Sequence, residues 1–245
     1  MGDDRGAGAV LTVIRTVAET GSTNADMIAL ARSGIEEGVW LRAERQLAGR
    51  GRHGRSWSSP EGNLYASTIV RLRASDPPAP TLALVGAVSL DESVSAYLRR
   101  EGLWLKWPND LLLDGAKLSG ILLERAEGAV VIGIGVNLAD HPDLPDRRTT
   151  SLAAHGVVVG TPDFMETLAE TFARWLGRWR GEGLAPVRAR WLERAHPPGT
   201  ALSAAAPDGG SVDGLFDGLD RNGALILRLA DGSRRVIHAG DVFLL

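Results

Sequence analysis

The stretch QLAGRGRHGRSW, residues 46–57, spells G-x-G-x-x-G at Gly49, Gly51 and Gly54. The residues after Gly54 decide the architecture. A doubly wound dinucleotide-binding fold needs that motif to open a helix, with an acidic residue about 20 positions further on. Here Pro60 and Gly62 come next and bar a helix of useful length. The first acidic residue past Glu61 is Asp76, inside the proline-rich break ASDPPAP. A P-loop is excluded as well, because no Gly-Lys-Ser/Thr comes after the glycines. What is left is a glycine-rich loop carrying Arg50, Arg52, Arg55 and Trp57. Glycines let backbone N–H groups approach an anion, and arginine forks bind phosphate bidentately. Trp57 offers a face for a base or an apolar ligand. On these residues alone a solvated loop or an arginine-rich nucleic-acid patch stays open. The net charge of −3 argues against a general attraction to nucleic acid.

The rest of the chain reads as α+β. Strands are expected over 9–18, 38–45, 63–73, 103–107 and 128–138. A helix runs from Ser22 or Thr23 to Ser33, with Gly34 as its stop. Helical spacing covers 81–101, 162–181 and 184–195. The segment DLLLDGAKLSGILLER is a hairpin turning at Asp114-Gly115. Hairpin strands predict a mixed, mostly antiparallel sheet with helices. After Pro197 the chain becomes short β runs broken at Asp208-Gly209-Gly210, Asn222-Gly223 and Asp231-Gly232, which predicts a small C-terminal β-barrel. The expected division is residues 1–196 and 197–245.

Of 27 basic residues only two are lysines, Lys106 and Lys117. A bias that puts arginine wherever it will serve marks the two remaining lysines as candidates for work done by an ammonium. They fall 11 residues apart in KWPNDLLLDGAKLSGILLE. Pro108 exposes Asn109 and Asp110 at a strand tip; Asn can read a base edge, and Asp can accept from ribose or hold Mg2+ through water. Lys117, on the return strand, can point into the same cleft and neutralise charge in an in-line attack. GSTN offers the Ser22 and Thr23 hydroxyls and the Asn24 amide at a helix start. GIGVN places Gly133, Gly135 and Asn137 where backbone or ligand can come close.

These segments, in this order and spacing, resemble the biotin protein ligases. The matching pieces are GSTN, AERQLAGRGRHGRSWSSPEGNLYAS, KWPNDLLLDGAKLSGILLE, VVIGIGVN and the β-rich tail through HAGDV, which together cover almost the whole chain. The resemblance implies a class II synthetase-like catalytic domain followed by an SH3-like barrel. It implies activation of biotin by ATP as biotinyl-5′-AMP, with Mg2+, then transfer to a lysine of the biotin carboxyl carrier protein of acetyl-CoA carboxylase. It places biotin among Ser22, Thr23, Asn24 and Gln46. Gly49, Arg50, Gly51 and Arg52, with Trp57, would close over biotin and the adenylate as a lid. Lys117 and Arg52 would be catalytic. Asn109, Asp110, Gly133, Gly135 and Asn137 would line the nucleotide side, with no residue assigned to the metal. A lipoate or octanoate transferase of related fold is the alternative. Gly21, His53 and Ser56 depart from common residues of the family.

The motifs begin at residue 22, so the chain is expected to be the monofunctional type, without a winged helix-turn-helix and without DNA binding. No cysteine is present, which excludes disulfides and cysteine chemistry and fits a reducing cytoplasm. MGDDRGAGAV is not a secretory signal, and no apolar run reaches membrane-spanning length. Monomer and homodimer both fit.

Overall fold

The structure, a computed structural model, describes residues 12–99, 101–205 and 210–245. The expected strand over 9–18 is found as β1 (Val13–Thr20). Residues 9–11, and Asp208-Gly209 of one expected turn, lie outside the described residues.

β1 is followed by α1 (Thr23–Arg32), β2 (Val39–Gln46), β3 (Leu64–Arg71), α2 (Leu82–Ser95), β4 (Leu103–Lys106), β5 (Asp110–Leu113), β6 (Ala116–Ala126) and β7 (Ala129–Val136). These strands form one seven-stranded sheet in the order β1-β2-β3-β7-β6-β5-β4. Only β1 and β2, joined across α1, pair in parallel; the other pairs are antiparallel. The β5–β6 hairpin turns at Asp114 and Gly115, both at positive φ (51° and 74°), as a two-residue turn of the primed type demands.

α3 (Thr161–Glu182) and α4 (Leu184–Arg194) complete the layer that α2 begins on one face of the sheet. Alternation along β7 shows how the faces divide. Val130, Ile132, Ile134 and Val136 join the core that holds α2, α3 and α4. Val131 packs beneath α1 with Met27, Ala31, Leu41 and Ile69. The next two residues on that second face are Gly133 and Gly135, so beyond α1 β7 itself puts no side chain on the surface. The helix expected over 81–101 ends at Ser95. There Tyr97 and Leu98 both donate to Val94 O, and the Tyr97 ring stacks on Phe164 of α3. Tertiary packing overrides the continuing apolar pattern.

The last helix of the large sheet ends at Arg194 and the second sheet begins at Ala201. That sheet comprises β8 (Ala201–Ala205), β9 (Ser211–Leu219), β10 (Leu225–Arg228), β11 (Arg234–Ile237) and β12 (Val242–Leu244). It is antiparallel throughout, in the order β11-β10-β9-β8-β12. α4 docks it: Arg188 donates twice to Leu219 O, and Trp191 packs edge-on against Phe216. Among the described residues, no helix is long and apolar enough to cross a membrane.

Candidate active site

Register builds the floor of the site. Lys106 pairs with Asp110, Asp110 with Gly120, Gly120 with Gly135, and Gly135 with Tyr65. Cross-strand partners share a face, so this row of five strands sets two charged side chains beside two glycines. A cavity of about 430 Å³ opens over it. The indole of Trp57 lies across the glycines: a Cβ on Gly135 would stand 2.7 Å from its ring, and one on Gly120 3.2 Å. Burial pushes the Tyr65 phenol up, so it stays protonated and donates to Pro60 O at 2.7 Å.

Lys117 reaches this face through a bulge. Leu111 pairs with Ser119 but Leu112 pairs with Lys117, so Leu118 is an extra residue on β6. Strict alternation would put Lys117 and Gly120 on opposite faces. The bulge puts them on the same one, and a Cβ on Gly120 would meet Lys117 Nζ at 3.3 Å. Backbone bonds hold the bulge: Lys117 N–H donates to Arg148 O, and Thr150 N–H to Lys117 O. Lys117 Nζ stands 2.6 Å from Asp110 Oδ1 and 5.5 Å from the centre of the Trp57 ring. Lys106 Nζ stands 3.9 Å from Asp110 Oδ2. Burial pushes the Lys106 ammonium below its ordinary pKa, against the opposing pull of Asp110. Asp110 Oδ1 is buried and receives no aligned hydrogen bond; the Lys117 approach is a charge contact only.

The second wall is the start of α1. Ser22, Thr23 and Asn24 are all buried and line the cavity. Ser22 occupies the N-cap position but its hydroxyl caps nothing. Gln46 does that work from β2: its Oε1 accepts from Thr23 N–H at 2.8 Å and from the Thr23 hydroxyl at 3.1 Å, while its Nε2 donates to Ser59. Asn24 accepts from Ser67 at 2.6 Å and donates to Glu124 at 2.8 Å. Gly133 leaves room for that amide, since a Cβ there would stand 2.1 Å from Asn24 Oδ1. Gly133→Ala is therefore expected to cost about 1–3 kcal/mol as a clash that cannot relax cheaply. Gly177→Ala, with open space in the middle of α3, should instead gain up to about 1 kcal/mol. Thermal unfolding of the two variants beside the parent checks both signs.

The glycine-rich loop is the third wall. Arg50 pairs with Ser56 across it, Gly51 N–H donates to Arg55 O, and Trp57 N–H donates to Gly49 O. Arg50 Nη2 lies 4.0 Å from Glu124. Arg52 Nη1 lies 3.5 Å from Asn109 Oδ1 and 3.2 Å from both Asp241 Oδ1 and Gly240 O. Burial lowers the Arg52 pKa, and Asp110 opposes that shift.

Of the residues singled out in the sequence, all but Gly49 line this one cavity. Gly49 serves the loop instead, since a Cβ would come within 2.7 Å of Ser59 Oγ and Trp57 O. Asn109 and Asn137 line the cavity with their amides already engaged: Asn109 Nδ2 donates to Ile121 O, and Asn137 Nδ2 to Thr150 O. The site residues drawn from the sequence did not include Arg147, Asp241 or Phe243, which also line it, and Lys106, marked there as one of two candidate ammonium groups but not assigned to the site, lines it too. Arg147 sits in a Pro/Asp/Arg connector with no local signal, and Asp241 and Phe243 lie at the far end of the chain. Among the described residues, six cationic side chains face three carboxylates here, in a chain whose net charge is −3. Such a cavity suits a polyanion.

Comparison with known proteins gives the same direction. Residues 22–138 match the biotin/lipoate A/B protein ligase family, and residues 205–245 match the biotin protein ligase C-terminal domain. A biotin--[acetyl-CoA-carboxylase] ligase of Paracoccus denitrificans is 39% identical over 239 residues, 93% of this chain and 98% of that protein. The enzyme of the same description from Mycobacterium tuberculosis is 36% identical, over 97% of this chain and 91% of its own length. The structure of biotin protein ligase from Aquifex aeolicus in complex with biotin and ATP superposes with a TM-score of 0.83 at 23% identity, covering 95% of this chain and 99% of that one. The chain belongs to the biotin protein ligases.

Proposed function

We propose that this protein joins biotin to a lysine of the biotin carboxyl carrier protein of acetyl-CoA carboxylase, using ATP in two steps within the cavity. The observation that carries the reading is the Lys117–Asp110–Lys106 row beside Ser22, Thr23, Asn24 and Gln46. A cation-rich half adjoins a neutral hydrogen-bonding half, as a carboxylate-tailed ureido ring next to a triphosphate requires. Residues 1–196 would be the catalytic unit and 197–245 its β-rich companion.

In the first step a biotin carboxylate oxygen attacks the α-phosphorus of ATP, and the bond to the departing pyrophosphate breaks. Carboxylate and triphosphate repel. Lys117 and Arg52 offset that repulsion and stabilise the negative charge on the five-coordinate phosphorus. Ser22, Thr23, Asn24 and Gln46 hold the ureido end, so the carboxylate points toward Lys117. In the second step the neutral amine of the acceptor lysine attacks the acyl carbon, and AMP leaves. The mixed anhydride hydrolyses readily, so the Gly49–Arg52 loop, backed by Trp57, excludes water as a lid.

The cavity also fits a magnesium ion carried by the phosphates. Among the described residues no three His, Asp or Glu side chains form a metal cage. Asp110, with one oxygen lacking a hydrogen bond, is the carboxylate that would hold the ion, and the ion would screen the triphosphate charge.

Biotin-dependent exchange between ATP and labelled pyrophosphate tests the reading. Exchange should require biotin and be absent with lipoate. Exchange with lipoate and none with biotin would instead assign the chain to the lipoate branch.

A further inference from the structure

The carboxylate of Asp241 stands just before β12, far along the chain from the motifs, yet three residues of the glycine-rich loop converge on it. Arg52 Nη1 lies at 3.2 Å, His53 Nε2 at 3.8 Å, and Arg55 Nη2 makes a closer ion pair. Gly240 O accepts from the same Arg52 Nη1. Asp241 is itself fixed, because Ala205 N–H of β8 donates to its carbonyl at 2.8 Å. Gly240 can turn there because it sits at φ 144°, with its missing Cβ 2.5 Å from Ala205 O. The loop is a tight excursion closed at its base by the Trp57–Gly49 bond and bent at His53, which is held at φ 55°. Its tip meets the second sheet through Arg52 and Arg55.

We propose that Asp241 is a positioning residue for biotin activation: from the C-terminal sheet it fixes the Arg52 guanidinium beside Asn109 and Asp110. This rests on the reading of Arg52 as a phosphate ligand given above. Among the described residues, Nη1 carries every hydrogen bond of Arg52. Nε and Nη2 are left for a phosphate, so the contact with Asp241 orients the fork without consuming it. Arg55 takes the other carboxylate oxygen, which stops the carboxylate from rotating away. The small sheet therefore contributes order to the lid rather than a group that touches substrate. Preordering of this kind lowers the entropy lost when the loop closes on its ligand.

The test is Asp241→Asn, which keeps the shape and removes the charge, with Asp241→Glu as the rescue. Two readouts are taken on the full chain: trypsin cleavage after Arg50, Arg52 and Arg55 in the ligand-free protein, and steady-state pyrophosphate exchange. Asp241→Asn should be cut severalfold faster in the loop at an unchanged unfolding midpoint. Its KM for ATP should rise about tenfold with kcat within about threefold, the size of one lost charge-assisted hydrogen bond. Asp241→Glu should fall back toward the parent in both. Equal cleavage and equal KM would overturn the proposal, and so would faster cleavage with unchanged KM. If the parent shows no biotin-dependent exchange, the functional reading fails on its own; the cleavage comparison still shows whether Asp241 holds the loop.

Discussion

Replacing Lys117 by alanine is expected to slow biotin-dependent pyrophosphate exchange by about 10²–10³-fold, the cost of removing one preorganised donor from a developing oxyanion. The fold should survive. Lys117 enters the β6 ladder through its backbone, bonded to Arg148 O and Thr150 N, and its side chain is not part of a hydrophobic core. The variant also leaves Asp110 without its nearest cation, with Lys106 at 3.9 Å as its remaining ion pair among the described residues. That carboxylate then repels the triphosphate with less compensation, which adds to the loss. Lys117→Arg should recover little, because Gly120 and Trp57 leave the ammonium a narrow slot and a planar fork needs more room. Near-parental exchange in Lys117→Ala would transfer the role to Lys106 or the loop arginines.

The largest expected loss of stability comes from a residue that touches no ligand. Asp91 is fully buried in α2 and accepts from Arg194 Nε at 3.0 Å and Arg190 Nη2 at 3.3 Å, both on α4. Asp91→Ala takes the carboxylate from two largely buried guanidinium groups. Arg190 keeps Glu92 and Glu193, but Arg194 loses the one ion-pair partner it has among the described residues, and breaking a buried pair from one side costs roughly 3–5 kcal/mol. For a chain of this size that is a fall of about 10 °C in Tm. Differential scanning calorimetry should show it. The comparison is Arg178→Ala, which removes an exposed i,i+4 pair with Glu182 and should shift stability by less than about 1 kcal/mol. Equal effects would mean that Asp91 contributes no more than a surface charge. Because α4 also carries Arg188 and Trp191 against the second sheet, Asp91 anchors that sheet indirectly.

Most of the fold is legible in the sequence because local chemistry and long-range packing agree. The Asp114-Gly115 turn, the Gly34 stop of α1 and the alternation of β7 each need only neighbours in sequence. The glycine-rich loop is legible by elimination, since Pro60 and Gly62 remove the helix a dinucleotide fold requires. The resemblance groups the site residues, and the cross-strand row explains why Lys106 belongs with them. That row depends on pairing across five strands, which no window of sequence displays. The same holds for Asp241, whose partners lie 186 and 189 residues away. The early end of α2 escapes a sequence reading because Tyr97 leaves the helix for a ring on α3, a preference with no local mark.

The Leu118 bulge bears on how this hairpin can change over generations. Substitution elsewhere in β5 and β6 alters size or polarity and leaves the facing of Lys117 intact. Loss of the Leu118 codon would restore regular alternation yet leave Lys117 opposite Leu112 on the cavity face; a ladder that ran on with Leu118 opposite Leu112 is what would turn the ammonium toward the helices. Among descendants of this chain, the pairing of Lys117 with Leu112 should therefore be held more tightly than the identity of the bulged residue.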